Sequence, residues 1–149
     1  MLNLLKNFFE NENTEQIKNS NDDLQLICGL MIEAANTDGN IDQNEVTKIK
    51  HALIHLFKEN QDDVDRSIDI ALQNSNNDKS LYYYTSKINK DYSFDKKVLL
   101  VEILWEVVLS DGELHDYEAS LIRRLSGLLY ISDIDSGNAK KRALNKLGL

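Results

Sequence analysis

The sequence has no proline, six glycines, one cysteine and one tryptophan in 149 residues. With 42% hydrophobic residues beside these shortages, neither a collagen-like nor a disordered chain fits. The lone cysteine, Cys28, excludes a disulfide framework and fits a reducing compartment, most simply the cytoplasm. No apolar run approaches the ~20 residues that cross a bilayer as a helix. The opening MLNLLKNFF is short, carries one lysine and lacks a cleavage site, so it does not read as a signal peptide. It reads as one or two helical turns docking through Leu2, Leu5 and Phe9, with too few cations to favour a membrane surface. Positive charge is also scarce overall. The formal charge is −8, which argues against nucleic acid as the main partner, and the cluster Lys140, Lys141, Arg142 and Lys146 is too small to reverse it.

A chain of this length is most economically one domain, able to bury roughly 70% of its unfolded surface. Its organisation reads as an N-terminal helical or polar segment over 1–21 and a helical domain over 22–149. The stretch from 10 to 23 is polar and reads as a loop or frayed helix. From Leu24 a helical period takes over, with Leu26, Ile27, Leu30, Met31, Ala34 and Ala35 at spacings of three and four. Asp38-Gly39 reads as the stop of that helix, and Asp42-Gln-Asn-Glu45 as a capping box starting the next, which buries Val46, Ile49, Leu53, Leu56 and Phe57. A third helix follows through Val64, Ile68, Ala71 and Leu72, then a loop at NSNNDKS. LYYYTSKI suits a strand by composition, but no strand partner is visible, so helix is expected. Residues 93–109 and 117–130 are strongly helical, and 136–147 closes the chain. The expected class is all-α.

A repeat organises these helices. Shifted by 73 residues, Leu26 falls on Leu99, Glu33 on Glu106, Asp38-Gly39 on Asp111-Gly112, Glu45 on Glu118, and Ile49 on Ile122. Both copies read helix, E-x4-D-G-x-[IL]-x3-E, helix, which predicts a bundle of two pseudo-symmetric helix–turn–helix repeats. The first copy, AANTDGNIDQNE, looks like the back half of a calcium-binding EF-hand loop, with Gly39 at the sharp turn and Glu45 at the closing position. The opening ligand position falls on Ala34, however, and the second copy places Val107 and Leu109 at the first and third ligand positions. Neither can ligate through its side chain. The shared feature is a helix stop, a tight turn and a helix start.

LWEVVLSDGELHDYEASLIRRLSGLLYIS resembles the tellurite-resistance TerB-like family, in which an apolar helix runs into A-x-x-D-G-x-[IL]-x3-E and a second helix. IEAANTDGNIDQNEVTKI is similar to the same pattern, and the resemblance spans roughly residues 22 to 147. It implies an all-α bundle with internal pseudo-two-fold symmetry, a non-enzymatic role in stress response and metal resistance, and a divalent cation at the acidic turns. A related domain occurs in membrane-anchored J-domain co-chaperones. Without proline this chain has no His-Pro-Asp motif of its own. His115 departs from the pattern, standing where Asp42 caps the first copy.

The candidate metal ligands are therefore Glu33, Asp38, Glu45, Glu106, Asp111 and Glu118. Gathered across the pseudo-two-fold they would repel one another unless a cation neutralised them, and hard calcium or magnesium suits oxygen donors. The plainer alternative is an adaptor module without metal. Asp38 and Asp111 then fold turns, Glu45 and Glu118 sit near positive helix ends, and Glu33 and Glu106 bond backbone amides or Arg123 and Arg124. Glu33 and Glu106 lie on the same stripe as apolar neighbours, so each faces a helix seam and needs a partner. His51 and His55 have a zinc-compatible spacing, but HALIH lacks the glutamate of HExxH and a third ligand, so it reads as a solvated helix face. Cys28 and Trp105 read as core. Of Tyr82, Tyr83 and Tyr84, one or two are core, and an exposed one would mark a partner surface. A hydrolase would need two metals about 3.5–4 Å apart with an open water position, which nothing here demands. No nucleophile–base pair and no phosphate loop is present. A protein partner is expected.

Overall fold

The computed structural model describes residues 20–36, 42–55, 58–75 and 81–149. Among them are seven helices and no strand: α1 (Ser20–Ala35), α2 (Gln43–His55), α3 (Gln61–Ser75), α4 (Leu81–Asp91), α5 (Phe94–Val108), α6 (Asp116–Leu128) and α7 (Asp133–Leu147). The chain divides into two compact units, Met1–Tyr84 and Thr85–Leu149, with the division inside α4. No described helix is long and apolar enough to cross a membrane.

In the first unit α1 packs mainly on α3, and α2 packs on both. The α1 sequence ICGLMI is apolar on every side, and Ile27, Cys28, Leu30, Met31 and Ile32 are all buried, as expected of a helix without a solvent face. Val46, Ile49, Ala52 and Leu53 from α2 and Val64, Ile68 and Ala71 from α3 complete this core. Asn60 caps α3 by accepting from the Asp62 and Asp63 amides at 2.9 and 3.2 Å, and those two aspartates sit at the positive helix end. α1 begins at Ser20, a turn before the apolar period. The rest of the 10–23 stretch, Leu56, Phe57, most of NSNNDKS and the N-terminal segment lie outside the described residues.

In the second unit α5 packs mainly on α7, and α6 touches both. Every residue from Leu100 to Val107 is buried, so α5 resembles α1 in lacking a solvent face. Trp105 donates from Nε1 to Ser136 Oγ at 3.1 Å, which places its ring in the core against α7 with its polar atom satisfied. Ser93 caps α5 at the Lys96 amide (3.2 Å), and the buried Lys96 ammonium lies 4.1 Å from the Tyr92 ring centre. α7 starts a turn earlier than the apolar spacing predicts. Ser132 accepts from the Asp135 amide at 3.1 Å, a capping contact that precedes the first buried residue, Ser136. α4 is helical, as read. Tyr84 is buried while Tyr82 and Tyr83 are exposed.

Candidate functional site

The second acidic turn is fully described. α5 ends at Val108, Ser110 donates from its hydroxyl to Val107 O at 2.7 Å, and the Gly112 amide returns to Leu109 O at 2.9 Å. Gly112 has φ +81°, a left-handed conformation that costs glycine nothing and a side-chain-bearing residue about 1 kcal/mol or more. Asp111 is exposed, and its Oδ1 accepts from the Glu113 amide at 3.0 Å, bracing the turn from its own side chain. α6 then starts from an extended His115, whose amide donates to Glu118 Oε1 at 3.2 Å. Glu118 is buried in the first turn of α6, where the helix dipole favours its charge. The arrangement is a helix stop, a tight turn and a helix start. Helix continues through Val107, and Leu109 is buried, so this copy has no room for an unwound calcium loop.

One turn before that stop, Glu106 is 0% exposed, and among the described residues neither carboxylate oxygen meets a hydrogen-bond partner. This differs from the expectation that it bonds a backbone amide or Arg123 and Arg124, which are both exposed on α6. Its neighbour Glu102, four residues back and also buried, is gripped from α7 by Arg142 Nε and Lys146 Nζ. Burial pushes the Glu106 carboxyl up to about 7. The Lys146 charge pulls against that rise and the Glu102 charge adds to it. The sequence reading missed Glu102. A signal existed in Arg142 and Lys146, a helical turn apart and of the sign that a buried glutamate needs.

In the first unit Glu33 is half-buried on α1, and burial raises its carboxyl above the usual range. Nearby, the Tyr84 ring packs closely on Gly29. A Cβ on Gly29 would stand 2.4 Å from Tyr84 Cε1, so any other residue requires the ring to shift. Burial raises the Tyr84 hydroxyl, a hydrogen bond with Asn74 counters that, and the Glu33 charge adds to it. Asp42 accepts from the Asn44 amide at 2.9 Å and starts α2, with Glu45 half-buried in its first turn. Asp38 and Gly39 lie outside the described residues. Among the described residues, no group of three or more histidine, cysteine, aspartate or glutamate side chains is placed to hold a metal ion.

These features define a class: an all-α domain whose acidic residues fold turns, cap helices and enter helix interiors. The chain belongs to the tellurite resistance protein TerB family, whose model matches residues 24–141. No curated protein matches significantly. No solved structure does either.

Proposed function

We propose that this TerB-family chain is a non-enzymatic stress-response module that acts by holding a protein partner. The observation that supports this most is the corner between α6 and α7. Tyr130 and Ile134 are 78% and 77% exposed there, although both are large and apolar. Tyr130 also adopts φ +60°, the left-handed position at which helices ordinarily end on glycine. The Ile131 amide bonds Ser126 O at 2.8 Å and the Tyr130 amide bonds Gly127 O at 3.1 Å, completing that helix end around an aromatic residue. An exposed aromatic ring set where the backbone disfavours it suggests selection for contact rather than for the fold. The test is affinity capture with the full chain, comparing wild type with Tyr130→Gly and Ile134→Ser, in the presence of a chelator. Retention by wild type and loss in both variants supports the reading. Retention unchanged by either substitution, or abolished by the chelator alone, overturns it.

A second reading is favoured by Glu106, whose buried carboxylate has no hydrogen-bond partner among the described residues and is the kind of group a cation would satisfy. Calcium or magnesium would then sit at the acidic turns, drawing on Glu106, Asp111 and Glu118 in one unit and on Glu33, Asp38 and Glu45 in the other. Asp38→Asn with Asp111→Asn would abolish metal-dependent stabilisation and leave the helical spectrum intact. Unfolding of that variant instead would mark both residues as architectural.

A further inference from the structure

His51 and His55 lie one turn apart on α2 and are both exposed. Their ring centres are 4.2 Å apart, with the planes tilted by 43°. Among the described residues neither ring takes part in a hydrogen bond or an ion pair. Exposure agrees with a solvated face, but the mutual approach adds something that spacing alone does not show. An ion bonded to two imidazole nitrogens at ~2.0–2.1 Å holds those nitrogens about 3 Å apart. Exposed rings at this separation can each turn one nitrogen toward the other's to reach that span. His55 also stands in the last turn of α2, where the helix dipole favours a cation. The unit around it is acidic, residues 1–84 carrying 7 basic and 15 acidic side chains.

We propose that His51 and His55 form a two-nitrogen surface site for a transition-metal dication of the imidazole-preferring class: nickel, copper or zinc. This chemistry differs from that of the acidic turns, whose oxygen donors suit hard cations. The proposed site has two protein ligands, and water completes the coordination.

The chain supplies its own control. Its third histidine, His115, belongs to the other unit and stacks on Tyr117 at a ring separation of 5.8 Å. The experiment is a calorimetric titration of the metal-stripped full chain with Ni²⁺ alone, in a non-coordinating buffer containing excess Mg²⁺ to occupy oxygen sites. One ion per chain is expected. His51→Ala and His55→Ala should each weaken binding about tenfold or more, since each converts a chelate into a single ligand. His115→Ala should leave binding unchanged, and acidification should weaken it because protons compete for the imidazole nitrogens. His51→Gln and His55→Gln, which retain polarity and helical tendency, should match the alanine variants. Absence of saturable binding overturns the proposal. So does binding that survives either single substitution, or that falls as far in His115→Ala. Neither result bears on the partner-capture experiment.

Discussion

The two helices that carry the sequence-matched glutamates Glu33 and Glu106, α1 and α5, face one physical problem and handle it differently. Each has a stretch buried on every side, residues 27–32 in α1 and residues 100–107 in α5, and both carry a glutamate five residues before an Asp-Gly in the sequence. One turn earlier α1 has Gly29, under the ring of Tyr84, where α5 has Glu102, held by Arg142 and Lys146. The later glutamate then meets different surroundings. Glu33 stays half-buried, while Glu106 is enclosed with no hydrogen bond among the described residues. Charge follows the same division. Residues 1–84 carry the whole net charge of −8, and residues 85–149 balance 10 basic against 10 acidic side chains. The lesson is that positions matched in sequence, Gly29 with Glu102 and Glu33 with Glu106, meet different surroundings in the two units. One copy accommodates a ring, the other an ion triad.

The largest expected effect comes from breaking that triad. Glu102→Ala should destabilise the second unit by about 2–4 kcal/mol, somewhat below the value for a fully enclosed pair because Arg142 and Lys146 keep contact with water. Chemical denaturation checks this, and Lys146, freed from Glu102, should then lower the Glu106 carboxyl. Next is Glu106→Gln. The folded carboxyl sits at about 7 against 4.5 for the free group, so the folded state binds the proton more tightly. Wild type therefore loses stability relative to the variant as pH rises from 4.5 through 7, and the gap is flat above that range. The plateau should favour the variant by about 2 kcal/mol, a value discounted for solvent screening by the partly exposed cations. Denaturation midpoints across pH test it, and parallel curves for the two proteins would contradict it.

Gly29→Ala should cost about 1–2 kcal/mol, since the Tyr84 ring must move away from the new methyl. Gly137→Ala on α7, where a Cβ meets nothing within 4 Å, should instead add about 0.5–1 kcal/mol. Thermal melts of the two variants should thus move in opposite directions. The smallest effect is at the corner proposed for partner contact. Tyr130→Gly should stabilise by up to about 1 kcal/mol by relieving the left-handed backbone while it weakens capture. Loss of both stability and capture would show that the Tyr130 ring supports the fold rather than contact alone.

Much of the fold was legible in the sequence because apolar period and capping chemistry are local. The helices through Val64 and Ile68, through Trp105 and through Ile122 lie where spacing places them, and the second Asp-Gly turn closes through Asp111, Gly112 and Glu118. Helix starts were less legible. Ser20 and Ser132 begin helices through polar first turns that an apolar stripe does not reveal. The partners of the buried acids were least legible. Glu102 meets Arg142 and Lys146 across 40 and 44 residues of chain, and Arg123 and Arg124, nearer in sequence, are turned to solvent. The same limit hid Gly29, whose requirement comes from a ring 55 residues away.

The central claim is that the acidic residues of the turns are architecture and that the module works through protein contact. A thermal melt of the metal-stripped chain, with and without millimolar calcium and magnesium separately, tests it most directly. The account predicts the same midpoint in all three samples. A chelator-reversible rise of roughly 5–10 °C, the shift expected when a ligand at 100 times its dissociation constant adds about 2.7 kcal/mol, would contradict it and return the carboxylates to a cation.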